Sequence, residues 1–179
     1  PQFCALLKTA LLNKQEVHIV GWNLERTSKG KVLLHKTSRD IVQVTPLIVS
    51  SYVCSLNEET IVLGSDAYDA LFSSQSTPHN ILDTFNIFES DFIWSAEAHM
   101  WPSFSSLPSH VQRFYHRRKY ISPYRFLNYG GWIGNAKTTC KVLELCAKQL
   151  VKCTLCQCTR NRKCKSPKQD QGAAHVIYA

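Results

Sequence analysis

The chain has 179 residues, of which 44% are hydrophobic and 11% aromatic, and it carries a formal net charge of +8. These values are ordinary for a globular domain with one core, and we find no internal repeat and no low-complexity tract. No stretch approaches the roughly 18–20 uninterrupted apolar residues of a membrane span, so no membrane span is expected.

Helix and strand signals alternate in the N-terminal part of the chain. Apolar residues at helical spacing predict a helix over 2–14, and EVHIVGW predicts a short strand over 16–22. Polar residues predict a loop over 23–40. The segment 41–56 is ambiguous between strand and helix, although its length and Pro46 favour a helix that begins near this proline.

A second strand, helix and strand follow. The apolar run at 60–65 predicts a buried strand, and Thr77-Pro78 predicts a helix from 78, with a capping residue before proline at the first helical position. DFIWSAE at 91–97 predicts another strand. Apolar strands in a β-α-β order predict an α/β fold with a mainly parallel sheet flanked by helices.

The C-terminal part contains a predicted long loop at 102–124, rich in Pro, Ser and basic residues. A compact turn with two adjacent glycines is predicted within 125–136, and apolar periodicity predicts a helix over 137–152. We assign 1–150 to one domain, and 169–179 to the start of a further helix of that domain.

The segment 151–168 is predicted to be a basic, cysteine-rich insertion or loop that packs poorly. Half of the eight cysteines of the chain lie in it: Cys153, Cys156, Cys158 and Cys164. Zinc binding, disulfides and a divergent insertion all remain open, but structural zinc sites usually separate their two cysteine pairs by a dozen or more residues. The other four are predicted to be small buried hydrophobes: Cys4, Cys54, Cys140 and Cys146.

The charge of the chain is uneven. Basic residues cluster over 113–125 and 152–168, whereas 57–97 is acidic. A basic tail can contact nucleic acid or an acidic partner, but a solvated charged surface is the commoner explanation, so nucleic acid is not the favoured partner.

Two carboxylates end the predicted strand in TIVLGSDAYDALF. Asp66 and Asp69 are three residues apart, and a turn can bring them together at the carboxyl end of the strand, where α/β sheets bind ligands. Two close carboxylates are stabilised by a cation that prefers oxygen, such as Mn²⁺ or Mg²⁺. The alternative is that Asp66 makes an Asx-turn and Asp69 faces water.

Three motifs occur in one order: SDAYDALF, WSAEAHMWP and RFLNYGGWIG. Together they closely resemble the glycosyltransferase domain of the procollagen lysyl hydroxylase family, over about residues 4–150, with a weaker similarity at 169–171. The resemblance implies a Rossmann-like domain of the GT-A type, incomplete at both ends, that uses a UDP-sugar and manganese. It also implies that Asp66 and Asp69 bind the metal and that Tyr68 lies beside the nucleotide.

Five further positions are implied to form the donor site. Asn128 with Gly130 and Gly131 matches a turn that lines the sugar-nucleotide pocket, Trp101 matches a tryptophan over the donor, and Asp170 matches a catalytic acidic residue near the transferred sugar. Adjacent glycines let backbone amides approach a phosphate or make a plain turn, and a tryptophan offers a face to a sugar or packs in a core.

The chain also departs from the family pattern. Because its first residue is Pro1 and its only methionine is Met100, we expect a fragment. The family's third metal ligand, a histidine, would follow Ala179, and the first strand of the nucleotide-binding unit would precede Pro1. We therefore expect the fragment alone to be a weak or inactive enzyme, and its sequence includes no hydroxylase domain.

The leading hypothesis is a metal-dependent glycosyltransferase domain that transfers a hexose from UDP to a hydroxyl acceptor. By resemblance, the acceptor is a galactosyl-hydroxylysine of a collagen-like protein and the compartment is the endoplasmic reticulum of the secretory pathway. The alternative is a catalytically inactive binding module whose basic, cysteine-rich tail contacts nucleic acid or a protein partner. The related collagen galactosyltransferases are a weaker possibility, since their metal motif has a shorter spacing.

Overall fold

A computed structural model describes residues 2–18, 38–66, 70–118, 122–158 and 170–179. These residues form six α-helices, three strands and one 3₁₀ turn. In chain order, the elements are α1 (Gln2–Leu12), α2 (Ser38–Val53), β1 (Ile61–Ser65), α3 (Pro78–Ile87), β2 (Phe92–Glu97), the 3₁₀ turn (Phe104–Ser106), α4 (Ser109–Arg117), β3 (Phe126–Asn135), α5 (Ala136–Cys158) and α6 (Asp170–Tyr178).

The strands form one sheet in the order β1-β3-β2. Both neighbours of β3 pair with it in antiparallel orientation. The α/β composition is confirmed, whereas the predicted mainly parallel sheet is not found among the described residues. The reason is that β3 lies between β1 and β2, which run in the same direction but do not pair with each other.

The glycine-containing segment at 125–136 is a strand rather than the predicted turn. β3 is the central strand, and its register with β2 jumps: Trp94 lies opposite Trp132, whereas the next residue, Ser95, lies opposite Asn128. Residues 129–131 therefore have no partner on β2, and the two glycines belong to this bulge. Sequence reasoning detected a backbone irregularity here but assigned it to the wrong kind of element.

The predicted helix at 2–14 and the predicted strands at 60–65 and 91–97 are confirmed within a few residues. The predicted burial of the strand at 60–65 is wrong, because β1 lies at the edge of the described sheet and its residues alternate between exposed and half-buried. The predicted helix from 78 is also confirmed. The Thr77 side chain accepts a hydrogen bond from the Asn80 amide at 3.3 Å, with proline in the first turn. Of the predicted strand at 16–22, residues 16–18 have no regular structure and 19–22 lie outside the described part of the chain.

Two helices differ from the sequence-based prediction. α2 begins at Ser38, so Pro46 lies inside the helix rather than at its start. The predicted long loop at 102–124 contains α4, because Val111 and Tyr115 form a buried stripe one helical turn apart while its basic residues face solvent. Proline and serine content concealed this amphipathic pattern.

The main core lies between the sheet and helices α2, α5 and α6. Its buried side chains include Trp132 of β3, Leu143 of α5 and Ala173 of α6. The small residues 172–174 of α6 are buried, which lets this helix lie close to its neighbours. A second cluster forms around Leu107, Val111 and Tyr115. No helix in the described ranges is long and apolar enough to span a membrane.

A disulfide links α5 to the residue that follows α2. Cys54 and Cys140 are bonded across a sequence separation of 86 residues, with Cα atoms 5.0 Å apart. The prediction that both are small buried hydrophobes is wrong, since Cys54 is exposed and neither sulfur is free. The same prediction is confirmed for Cys146, which is free and fully buried.

Helix α5 continues to Cys158, beyond the predicted domain boundary at 150. The first part of the predicted cysteine-rich loop is therefore helical. The rest of that segment, from 159 to 168, lies outside the described residues, as does Cys164.

Candidate functional site

Asp66 follows the last residue of β1. Its amide donates a hydrogen bond to the Gly130 carbonyl at 2.9 Å, which extends the pairing of β1 with β3 by one residue. The Asp66 residue is exposed. Asp66 thus lies at the carboxyl end of a strand, as predicted, but this strand is at the edge of the described sheet rather than at its centre.

Strand β3 places three of the predicted site residues beside Asp66: Asn128, Gly130 and Gly131. The Asn128 Oδ1 accepts a hydrogen bond from the Gly130 amide at 2.7 Å, and Gly131 lies opposite Ser65 in the β1–β3 register. A Cβ atom at position 130 would lie 2.9 Å from Asp66 Cγ and closer still to Oδ2. The missing side chain of Gly130 therefore provides the space that the Asp66 carboxyl group occupies.

Asp170 begins α6 and joins this group. Its Oδ1 accepts a hydrogen bond from the Gln171 amide at 2.7 Å. Burial raises the pKa of Asp170 to about 6, the hydrogen bond from Gln171 opposes this rise, and the negative charge of Asp66 adds to it. The structure thus brings Asp170 into the electrostatic field of Asp66, although these residues are far apart in sequence.

Two buried residues, Tyr129 and Cys146, lie beside the carboxylates; sequence reasoning predicted the burial of Cys146 but did not identify Tyr129. The Tyr129 hydroxyl has no hydrogen-bond partner within the described ranges. Burial raises the Tyr129 pKa well above its ordinary value, and Cys146, Asp170 and Asp66 raise it further. Burial and the charge of Asp170 raise the pKa of the Cys146 thiol to about 12, so both groups stay neutral at physiological pH.

Gln171 connects α6 to the sheet. Its Nε2 donates hydrogen bonds to the Glu97 carboxylate at the end of β2 and to the Leu127 carbonyl of β3, the latter at 3.0 Å. These contacts fix the start of α6, and with it Asp170, against the end of the sheet. Glu97 acts here as an acceptor for a half-buried side-chain amide.

Trp101 forms a hydrogen bond with His175, a residue in the second half of α6. The Trp101 residue is 58% exposed, and its backbone carbonyl accepts a hydrogen bond from His175 Nε2 at 3.0 Å. His175 is fully buried, and its Nδ1 lies 2.7 Å from the Tyr115 hydroxyl. Sequence reasoning did not identify His175, because its partners are about 60 and 74 residues away.

Two predicted site residues, Tyr68 and Asp69, lie outside the described part of the chain. Among the residues that are described, one group of three potential metal ligands converges: Cys54, Cys140 and Glu144. Its two sulfurs are bonded to each other, so they do not act as thiolate ligands. At the end of β1, the described residue Asp66 offers an exposed carboxylate, the type of oxygen group that hard divalent cations prefer.

The family model described as the PLOD GT domain matches residues 3–150. No curated protein matches the chain. The matched range contains β1, β2, β3, Asp66 and the Asn128–Gly131 segment, and it ends within α5. With most of its length matched, the chain belongs to the family of PLOD glycosyltransferase domains.

Proposed function

We propose that the chain is a metal-dependent domain that binds a UDP-sugar and transfers its hexose to a hydroxyl acceptor. The acceptor is a galactosyl-hydroxylysine of a collagen-like protein. Membership of the glycosyltransferase family supports the type of reaction. The observation that carries the proposal is the convergence of Asp66, the Asn128–Gly130 segment and Asp170 at one end of the sheet.

The chemistry of these groups fits a hard cation and a sugar nucleotide. Asp66 presents an exposed carboxylate in a space that only a glycine at position 130 leaves open. Oxygen ligands of this kind suit Mn²⁺ or Mg²⁺. Asp66 and Asp69 would hold the ion, which when bound neutralises the charge that develops on the departing nucleotide.

The other residues orient the donor. Because Asn128 Oδ1 is engaged by the Gly130 amide, the Asn128 side-chain amide is held in one orientation, and its Nδ2 serves as a hydrogen-bond donor to the ligand. Gly130 and Gly131 allow close approach of the ligand to the backbone. By resemblance, Tyr68 would lie beside the nucleotide, and Trp101 offers an exposed indole face to the donor.

Asp170 is the proposed contact to the transferred sugar. With a pKa raised to about 6 by burial, its carboxyl group is ionised at neutral pH yet is easily protonated below it. Such a group accepts hydrogen bonds from sugar hydroxyls at pH 7, and it is positioned by the Gln171 contacts to Glu97 and Leu127. Orientation of donor and acceptor is the protein's main contribution in this scheme.

We place the domain in the secretory pathway. The Cys54–Cys140 disulfide supports this proposal, because disulfides form and persist in oxidising compartments and are rare in the cytosol. Collagen-type acceptors mature in the same pathway, so enzyme and substrate would meet there.

Nucleotide selectivity tests the proposal. Calorimetric titration of the chain with UDP, CDP and ADP, each with Mn²⁺, should show tightest binding for UDP. UDP-glucose and UDP-galactose, tested in the same way, would identify the preferred hexose. Absence of UDP binding combined with salt-dependent binding of single-stranded DNA would contradict the proposal and support the inactive binding module instead.

A further inference from the structure

Helix α6 carries two residues that connect it to the candidate site. Asp170 at its start lies in the field of Asp66, and His175 lies further along the same helix, about 7.5 Å away by helix rise. His175 reaches the Trp101 carbonyl and the Tyr115 hydroxyl. One fully buried side chain therefore joins α6, α4 and the segment that carries the exposed Trp101 indole.

The hydrogen-bond chemistry defines the tautomer of His175. A carbonyl oxygen only accepts, so Nε2 carries the proton that is donated to Trp101. Burial lowers the His175 pKa, which keeps the ring neutral, and Nδ1 is then an acceptor for the Tyr115 hydroxyl. Both ring nitrogens are satisfied, and the direction of each bond follows from this one tautomer.

We propose that His175 is a positioning residue that fixes the backbone at Trp101 and thereby holds the indole in place for the donor. The inference rests on the proposed function in one respect, namely that the Trp101 indole contacts the sugar nucleotide. The anchor itself rests only on the two hydrogen bonds and on the complete burial of His175.

The physical reason for a polar anchor is the exposure of the side chain that it controls. A tryptophan residue that is 58% exposed has little packing of its own to define its position. A hydrogen bond from a buried, rigid ring to its carbonyl restricts the backbone while leaving the indole free for a ligand. Such prior ordering reduces the entropy lost when a ligand binds.

Three variants test the anchor. His175→Leu fills the space without polar groups, His175→Gln supplies an NH2 donor group and a carbonyl acceptor, and His110→Leu changes an exposed histidine of α4. Amide hydrogen exchange, measured without ligand, should rise over residues 99–107 in His175→Leu, return towards the unmutated level in His175→Gln, and stay unchanged in His110→Leu. An unchanged exchange rate over this segment in His175→Leu would overturn the proposal.

UDP binding with Mn²⁺ tests the consequence for the donor. We expect His175→Leu to weaken it by about three- to tenfold, the cost of ordering one more large side chain on binding. In the Trp101→Ala background the same change should have no further effect, a result that general destabilisation would not produce. Two results would contradict positioning through Trp101. One is that His175→Leu weakens UDP binding equally in the unmutated chain and in Trp101→Ala, and the other is that it does not weaken binding in the unmutated chain.

The two hypotheses can fail separately. If the unmutated chain does not bind UDP, the proposed function fails. The exchange measurement then decides on the anchor by itself, because it requires no ligand. If the unmutated chain binds UDP and the exchange of residues 99–107 is insensitive to His175→Leu, only the anchor fails.

Discussion

The two sides of the candidate site differ in how their carboxylates are held. On one side, which we call the α6 wall, residues 170–175 are largely buried, hydrogen-bonded to the sheet and packed on α5. On the other, which we call the Asp66 edge, an exposed aspartate follows an edge strand and relies on the space left by Gly130. Burial raises the carboxyl pKa of Asp170. Asp66 is exposed, so a bound cation or ligand should have the larger influence on its carboxylate.

This difference indicates a division of roles. The α6 wall is fixed by hydrogen bonds within the chain, from Gln171 to Glu97 and Leu127 and from His175 to Trp101. The Asp66 edge has the accessibility that a cation and a diphosphate need. Changes in the α6 wall and its supports should therefore alter stability, in addition to the effect on UDP binding expected for His175, and changes at the Asp66 edge should alter mainly binding.

The largest expected effect on stability concerns the disulfide between Cys54 and α5, the helix against which the α6 wall packs. Replacing Cys54 and Cys140 together with serine should lower the free energy of unfolding by about 2–5 kcal/mol, since 86 residues separate the two positions. Urea unfolding measures the change, and Ser55→Ala, an exposed neighbour, is the control. Unchanged unfolding of the double variant would show that the bond does not support this wall.

Asp170→Asn should stabilise the metal-free protein above pH 6. The carboxyl pKa is raised from 3.8 to about 6 mainly by burial, so the folded state favours the neutral form. The stability that this provides is fully present below pH 3.8 and is lost as the pH rises through about 6. At pH 8, the asparagine variant should be more stable by an amount on the order of 2–3 kcal/mol.

Thermal or urea unfolding in EDTA at pH 4 and pH 8 measures this difference. The advantage of Asp170→Asn should shrink towards pH 4, where the unmutated carboxyl group is also neutral. A variant that is less stable at pH 8 would contradict the assignment of Asp170 to a buried, desolvated position.

Gly130→Ala should disturb the Asp66 edge and leave the α6 wall in place. The added methyl group overlaps the Asp66 carboxyl group, so either Asp66 or the bulge in β3 must shift. Because the overlapping atoms lie at the ends of side chains and Asp66 is exposed, the free energy of unfolding should fall by only about 0.5 kcal/mol. Hydrogen exchange should increase around 64–66 and 128–131 but not in α6, and equal changes in both regions would remove the distinction between them.

Local signals predicted several elements correctly. Helical spacing identified α1 and α5, the Thr77 cap with proline in the first turn identified α3, and continuous apolar runs identified β1 and β2. The aspartate, asparagine and glycine of the candidate site were also available from sequence, because each belongs to a short motif.

The rest depends on contacts between distant parts of the chain. β3 was missed because its adjacent glycines suggest a turn, and only pairing with both neighbours shows a bulged strand. The Cys54–Cys140 bond spans 86 residues, and no local pattern predicts it. His175 and Tyr129 are polar groups whose roles arise from burial, which a single sequence does not display.

The claim that Asp66 belongs to a cation and nucleotide site is tested most directly by calorimetric titration with UDP, with and without Mn²⁺. We compare the unmutated chain, Asp66→Ala, and Asp91→Ala as a control, since Asp91 is an exposed aspartate before β2 at the opposite end of the sheet. Mn²⁺ should tighten UDP binding to the unmutated chain and to Asp91→Ala, and Asp66→Ala should lose most of that gain.

Asp66→Ala should leave the free energy of unfolding within about 0.5 kcal/mol of the unmutated value, because Asp66 is an exposed residue. If the variant instead unfolds earlier, by about 0.5–2 kcal/mol, while binding UDP with Mn²⁺ normally, Asp66 is a turn residue and the central claim is wrong.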